Sequence, residues 1–297
     1  MEEEHFGPVW FIPGENKGKY PFCHSLYIEG PGVLIDPASD RERLLKLRKD
    51  HGVKMVWLSH AHEDHFMHLD LFDDLPLWIS DKEATFLSSL DIFLDSYGID
   101  YGDHRQYWTQ FLKETFHFKP RKPTQFLQGG QVIQLDGVTV EVISTPGHTL
   151  GHIALFFREP KVLFMADYDL TRFGPWYGNL DSSIEETIES INLFKKIPAE
   201  VFLASHEEGI FKGDPGKLWD DYLNVIAERD RKLLDFLVKP RTMEEIVGAW
   251  IIYGREREPK AFFELGEWGL MKKHLDRLIK LGRVFQEGDQ YIKKTSS

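Results

Sequence analysis

The chain of 297 residues has a single cysteine, Cys23, so no internal disulfide framework can form. No run approaches 18 consecutive apolar residues, so no membrane-spanning helix is expected. The opening MEEEHFGP is acidic and lacks an apolar core, which points away from a secretory leader. Together these predict a reducing, cytoplasmic setting and no membrane partner. Repeats and low-complexity stretches are missing as well. Basic residues are in deficit, 36 Lys+Arg against 48 Asp+Glu for a net charge of -12, which counts against a whole-molecule nucleic-acid binder. The deficit is uneven: 14 basic against 10 acidic residues from Arg231 onward, 22 against 38 before it. That asymmetry fits either two units with different surfaces or plain solvation chemistry. Hydrophobic residues make up 42%, enough for a sizeable core, and the length suits one large domain with a small appendage.

What is present reads first as strands. GPVWFIP, HSLYIEG and GVLIDPA are β-rich runs closed by Gly or Pro. Residues 40–52 predict a helix with an apolar stripe of Leu44, Leu45 and Leu47, stopped by Gly52, and 53–59 a buried strand. Residues 82–127 are an aromatic-rich insertion (Phe86, Phe93, Tyr97, Tyr101, Tyr107, Trp108, Phe111, Phe116), read as two helices that belong to the core or form a lid. A hairpin around Asp136-Gly137 follows, then strands HIALFF and KVLFMAD. A helix over 181–198 is expected to open with a Ser182/Glu185 capping box, and EVFLAS (200–205) is the last strand. From Lys217 the pattern is helical. Thr242 and Glu245 offer a second capping box, a Leu270, Leu275, Leu278, Leu281 stripe ends at Gly282, and a small hairpin closes the chain. Helices followed by such a hairpin predict a winged-helix unit.

The chemistry concentrates in HAHEDH, residues 60–65. His60 and His62 are two apart in an extended stretch and point to one side, with Asp64 and His65 next to them. Imidazole nitrogen and carboxylate oxygen are ligands of Zn²⁺, and so many donors suit two adjacent ions; the bland alternative is a satisfied polar turn. Further donors each follow a strand: His148 in STPGHTLGH, Asp167 at the end of KVLFMAD, and His206 after EVFLAS.

H-x-H-x-D-H, then T-P-G-H, then an Asp and a His each closing a strand, resembles the metallo-β-lactamase superfamily over about residues 8–210. The resemblance implies an α+β fold, a four-layer αββα sandwich with metals at one sheet edge. It implies that His60, His62 and His148 bind a first metal, Asp64, His65 and His206 a second, and that Asp167 bridges them. Asp36 matches a supporting aspartate near the site, His152 a residue packed beside it, and His68 could stand just behind. The cofactors expected are two divalent ions, Zn²⁺ first, with Fe or Mn as alternatives. The expected reaction is hydrolysis of an ester-type bond, a phosphodiester, thioester or related group, by a hydroxide bridging the ions, with Asp64 as the catalytic acid–base group.

The substrate is read from what surrounds the metals. The 168–183 loop offers Arg172, Trp176 and Tyr177 as substrate-binding candidates. The domains expected are a catalytic unit, 1–213, and a helical, winged-helix-like unit, 214–297. That layout resembles the β-lactamase-like protein 2 family, whose members include endoribonucleases acting on single-stranded RNA. Lys272, Lys273, Arg277, Lys280 and Arg283 give the last helix a basic side that could touch phosphates or simply be solvated. TPGHTLGH equally resembles glyoxalase II, a thioesterase, although no glutathione-binding C-terminal residues are recognisable. The partners expected are therefore a small ester or thioester, or single-stranded nucleic acid, with a homodimer possible through the aromatic insertion. The non-enzymatic alternative is a metal-bound binding or regulatory module.

Overall fold

A computed structural model describes residues 1–99 and 102–294. The expected Tyr101 contribution to the aromatic cluster lies outside the described residues. The first sheet runs in chain order, β1 (Glu4–Phe6), β2 (Val9–Ile12), β3 (Ser25–Ile28), β4 (Val33–Ile35), β5 (Met55–Trp57), β6 (Leu77–Ile79) and β7 (Gln125–Phe126). It is antiparallel up to β4 and parallel beyond. The second sheet contains β8 (Val132–Leu135), β9 (Val138–Ser144), β10 (Ile153–Phe157), β11 (Val162–Phe164), β12 (Val201–Leu203) and β13 (Ile210–Lys212). Only its β11–β12 pair is parallel. The strand at 210–212 continues the sheet past EVFLAS, where the sequence showed none, because IFK is only part-buried and lacks the apolar run that marks the other three-residue strands of this sheet.

Alternation along the strands builds the layers. In β2, Val9 and Phe11 face the second sheet, where they meet Val140, Leu155, Phe157 and Phe164. Trp10 and Ile12 face the other way, toward the helices. Both faces of the inner strands are covered, so β2, β3, β4, β10 and β11 are buried on both sides, while β7 and β8 are largely exposed. The helix α1 (Arg41–Asp50), capped by Asp40 accepting from the Arg43 N–H at 2.6 Å, lies on the outer face of the first sheet with Leu44 and Leu47 buried. Leu45, expected in the stripe, is exposed. The insertion forms α2 (Leu90–Ser96) and α3 (Gly102–Glu114) on the same face. Its Phe93, Tyr97, Trp108 and Phe116 are buried in that core.

The helix α4 (Ile184–Phe194) covers the second sheet with α5 (Lys217–Phe236). Its cap is Ser183, which accepts from the Glu186 N–H, and not Ser182. Ser182 is drawn instead to the loop below, where its hydroxyl donates to the His148 carbonyl at 2.6 Å. The remaining chain forms α6 (Met243–Val247), opened by the Thr242/Glu245 capping box, and α7 (Lys260–Lys280). A third sheet, β14 (Arg241–Thr242), β15 (Val284–Glu287) and β16 (Gln290–Lys293), packs against them in the order β14-β16-β15. Leu281 falls just past α7 and is exposed. Among the described residues, no helix is long and apolar enough to cross a membrane.

Leu155 is fully buried between the two sheets. Leu155→Ala should cost about 2–5 kcal/mol, the transfer term plus a residual cavity, and lower the Tm measured by differential scanning calorimetry.

Candidate metal centre

Strand direction gathers the site. The parallel strands β4 and β5 end at one edge of the first sheet, and β11 and β12 end together at one edge of the second. The β9–β10 turn lies at that same edge, because Ile153 at the start of β10 donates its N–H to the carbonyl of Ser59, just past β5, at 3.1 Å. Residues 59–65, 145–152, 165–167 and 204–206 therefore emerge side by side. Two turns there are left-handed at non-glycine residues, Asp36 with φ +50° and Ala166 with φ +48°. Such backbone strain costs on the order of 1–3 kcal/mol and persists because the packing around it fixes it.

The first donor group is His60, His62, His148 and Asp167. His148 Nε2 stands 3.1 Å from His60 Nε2 and 2.8 Å from His62 Nδ1. Asp167 Oδ2 lies 3.8 Å from His60 Nε2 and 3.2 Å from His148 Nε2. Four donors around one tetrahedral ion at ordinary metal–nitrogen lengths stand about 3.4 Å apart, the middle of this range. The second group is Asp64, His65 and His206. Asp167 Oδ1 reaches it, 2.7 Å from His65 Nε2 and 3.3 Å from His206 Nε2, with Asp64 Oδ2 3.6 Å from His206 Nε2. The two oxygens of Asp167 are thus divided between the two groups.

In the second group the donors aim at a common point rather than at each other. His65 Nε2 and Asp167 Oδ1 are buried and close, yet neither has a hydrogen-bond partner of acceptable angle. A buried polar atom left unpaired is costly, and seven donors converging in this way fit a pair of divalent cations.

The opposite ring nitrogens of His60, His65, His148 and His206 are tied to the fold, while His62 Nε2 is buried without a partner. His65 Nδ1 contacts Asp36 Oδ2 at 2.9 Å, and Asp36 also accepts from the Ser59 N–H and hydroxyl at 2.8 and 2.7 Å. His60 Nδ1 is 3.0 Å from the Ser59 hydroxyl. His148 Nδ1 donates to the Trp176 carbonyl at 3.1 Å and His206 Nδ1 to the Gly18 carbonyl at 2.5 Å. Each bond fixes which nitrogen is free to face the centre. His152 sits behind His60, its ring 5.1 Å away, with its Nδ1 on the Thr145 hydroxyl at 2.8 Å. The position before His148 admits only glycine: Gly147 has φ +123°, and a Cβ there would lie 2.2 Å from the Thr187 nitrogen.

The field at the centre favours positive charge. Burial drives the His60 and His148 pKa values well below the usual range, helped by neighbouring imidazoles, and burial takes His62 down to about 4. Burial also opposes protonation of His65 and His206, but the Asp167 charge outweighs it, lifting His65 well above normal and His206 to about 10. Burial raises Asp64 to about 7, against the pull of His65 and His206. Asp167 is held well below the carboxylate range, because His65 and His206 overcome its own desolvation.

The remaining sequence candidates fall differently. Trp176 lines a cavity of about 410 Å³ beside the donors. Tyr177 does not: it is fully buried, with its hydroxyl shared between His274 Nε2 and Arg229, both at 2.9 Å. Arg172 is exposed and outside the lining. His68 turns to Arg41 at 3.4 Å and to the His117 ring, and makes no contact with the seven donors. The basic side of the last helix is largely spent on the protein itself. Lys272 pairs with Asp276, Lys273 donates to the Leu180 carbonyl, and Arg277 reaches Glu185 and Asp230.

Several contributors carried no motif. Glu83 is fully buried and accepts from the Ala61 N–H, the Thr149 hydroxyl and the Gly151 N–H at 3.0, 2.7 and 2.7 Å, clamping both histidine-bearing loops. Burial pushes its carboxyl up to about 7, against those hydrogen bonds. Glu63, inside HAHEDH, is gripped by the Tyr20 and Tyr97 hydroxyls at 2.8 and 2.6 Å. Only the repeated carboxylate beside the histidines hinted at it.

Comparison with known proteins agrees with this geometry. The family described as the Metallo-beta-lactamase superfamily matches residues 21–206. Hydroxyacylglutathione hydrolase GloC of Haemophilus influenzae is 31% identical over 145 residues, 47% of this chain and 61% of the relative. A probable metallo-hydrolase of Streptococcus pyogenes is 30% identical over 141 residues, 46% of this chain and 56% of the relative. The chain thus matches less than two thirds of the length of either. A metallo-beta-lactamase family protein of Thermus thermophilus superposes with a TM-score of 0.75 at 21% identity, covering 97% of this chain and 99% of that one. A beta-lactamase domain protein of Burkholderia ambifaria gives 0.70 at 18%, covering 99% and 94%. At such identities the likeness is one of fold.

Asp36→Asn places an amide against the His65 ring and removes its charged anchor. Metal affinity, measured by competition with a chromogenic chelator, should fall about 10–100-fold while circular dichroism is unchanged. Equal affinity in the two proteins would refute the positioning role of Asp36.

Proposed function

The chain belongs to the metallo-beta-lactamase superfamily, and from that premise we propose that it hydrolyses carboxylic thioesters or esters at a two-cation centre. The first ion would be held by His60, His62 and His148, the second by Asp64, His65 and His206, with Asp167 between them. The observation that carries this reading is the division of the Asp167 oxygens between the two donor groups, Oδ2 toward His148 at 3.2 Å and Oδ1 toward His65 at 2.7 Å. Zn²⁺ is the ion we favour, since nitrogen-rich donors with carboxylates suit it. Cations held there would acidify a water molecule and polarise the scissile carbonyl.

The chain's own groups do the rest. Asp64 lines the cavity, where its carboxylate is placed to orient the attacking water and take its proton. The water oxygen joins the carbonyl carbon, the C–S or C–O bond breaks, and the proton passes to the leaving thiol or alcohol. Trp176 holds His148 through its backbone carbonyl while its ring walls the cavity, so one residue both orients a donor and excludes solvent.

A thioester is preferred to RNA for two reasons. The relatives include proteins named hydroxyacylglutathione hydrolase, and Lys272, Lys273 and Arg277, three of the five basic residues that would meet phosphates, are engaged within the protein. We place the catalytic unit at 1–213, including the helical insertion of about 82–127, and a winged-helix-type unit at 214–297. A separate apolar core of Leu233, Leu237, Ile246, Leu275, Leu278 and Val284 supports the second unit.

The test is elemental analysis with kinetics. About two equivalents of metal per chain are expected, with loss of thioester hydrolysis on chelation and its return on adding Zn²⁺. Asp167→Asn should lower kcat/KM by at least about 100-fold, since it removes a donor shared by both groups. Well under one metal per chain after reconstitution would overturn the reading.

A further inference from the structure

Nine aromatic residues line the cavity beside the donors, all from outside the metal motifs; the hydroxyls of Tyr20 and Tyr97 are held by Glu63 and that of Tyr222 by the Asp167 carbonyl. Three of the nine, Tyr253, Phe262 and Phe263, lie just before and at the start of α7, more than 45 residues past the last donor. We propose that this C-terminal segment selects the substrate: a thioester or ester whose acyl part is a flat apolar body with an anionic group at its far end, received by Arg257. The proposal rests on the hydrolase reading above and names its substrate class.

The wall is built in advance. Glu267 is fully buried and accepts the N–H groups of Ile252 and Tyr253 at 2.9 and 3.2 Å, fixing the turn that carries Tyr253. Gly266 lets the helix approach that turn. A Cβ there would lie 2.2 Å from the Tyr253 hydroxyl oxygen and 3.1 Å from the Trp176 ring. The rings then brace each other. Phe262 stacks on Trp108 with centroids 5.5 Å apart, Phe173 stacks on Tyr253 at 5.7 Å, and Phe263 meets Tyr253 edge-on at 5.0 Å. Faces set in this way favour a planar apolar guest over a polar, flexible one.

Charge sets the far end. Two cations line the cavity, Lys19 and Arg257. Lys19 faces Glu207 at 3.9 Å. Arg257 has no ion-pair partner among the described residues, and its guanidinium stands 5.7 Å from the Phe263 centroid and 5.8 Å from that of Tyr253. Its Nη2 donates to the Tyr253 carbonyl at 3.4 Å, and the remaining N–H donors of the guanidinium fork are left for a carboxylate. One such cation suits a single anionic group, whereas a nucleic-acid strand needs a track of them.

The test uses the full chain loaded with Zn²⁺ and thioesters of one plain thiol carrying acetyl, 2-naphthoyl and 6-carboxy-2-naphthoyl groups. Binding of naphthalene-2,6-dicarboxylate, followed by quenching of tryptophan fluorescence, provides a readout independent of turnover. The expected order of kcat/KM is carboxynaphthoyl, naphthoyl, acetyl, with at least about 10-fold between the first and last. Arg257→Ala should raise KM about 10-fold for the carboxylated substrate only, and weaken dicarboxylate binding alike. Arg257 is exposed, so this change leaves the core intact. Phe263→Ala should narrow the preference for both naphthoyl esters over acetyl. Acetyl turned over as well as naphthoyl, or an Arg257→Ala protein unchanged in both assays, overturns the proposal while the hydrolase reading stands. Dicarboxylate binding that depends on Arg257 without turnover of any thioester upholds the selecting wall and overturns the hydrolase reading. Neither binding nor turnover overturns the proposal.

Discussion

The carboxylate of Asp167 is the constraint around which the site is arranged. Its two oxygens serve two groups of imidazoles, and its charge is what the surrounding histidines answer. Burying a carboxylate in a protein interior is unfavourable unless positive charge meets it. Here protons on His65 and His206, or cations held among the donors, do so. His60, His62 and His148, pushed toward neutrality by burial, offer lone pairs instead. One acidic side chain just past β11 thus holds the protons of two rings, while burial keeps the other three neutral.

That arrangement survives because the outer nitrogens are tied to elements far apart in the chain. Asp36 follows β4, Gly18 precedes β3, and Trp176 belongs to the loop after β11. The sheets supply the rigidity and the hydrogen bonds transmit it to the rings. Glu83 performs the same service between the two histidine-bearing loops, holding three donors with one buried carboxylate.

The C-terminal helices take part in the site as well as in their own core. Arg229 of α5 donates to the carbonyls of Phe173 and Pro175 and to the Tyr177 hydroxyl, and Tyr177 is also bound by His274 of α7. His274 leans on Asp230 at 2.7 Å, which Arg277 also contacts. The loop that presents Trp176 to His148 is therefore fastened from behind by α5 and α7. The same helices bring Tyr253, Phe262 and Phe263 over the cavity, so the walls and the donors are held by one set of contacts.

The sequence by itself determined the strand segments and named the candidate donors. Apolar runs bounded by Gly or Pro can be read locally, and HAHEDH, TPGH, Asp167 and His206 announce themselves by residue type and by their places after strands. The two helices of the insertion and the Thr242 cap were equally legible. Tertiary structure decided what each neighbour does. Ser182 fits a capping box by spacing but is taken by the His148 carbonyl, and Tyr177 fits a substrate loop but is consumed by Arg229 and His274. The first half of α7 was not read from the sequence; in the fold its Gly266 and Gly269 permit close approach to Tyr253 and Gly178. Trp108 and Trp176 stood in segments read as a lid and a substrate loop, but Arg257, Tyr253, Phe262 and Phe263 had no signature, since a cavity formed by segments near 20, 97–108, 173–176 and 253–266 exists only once chain closure has brought them together. Ligand chemistry belongs to residue type and is written locally; the shape and charge of a pocket belong to contacts between distant segments, which only folding brings about.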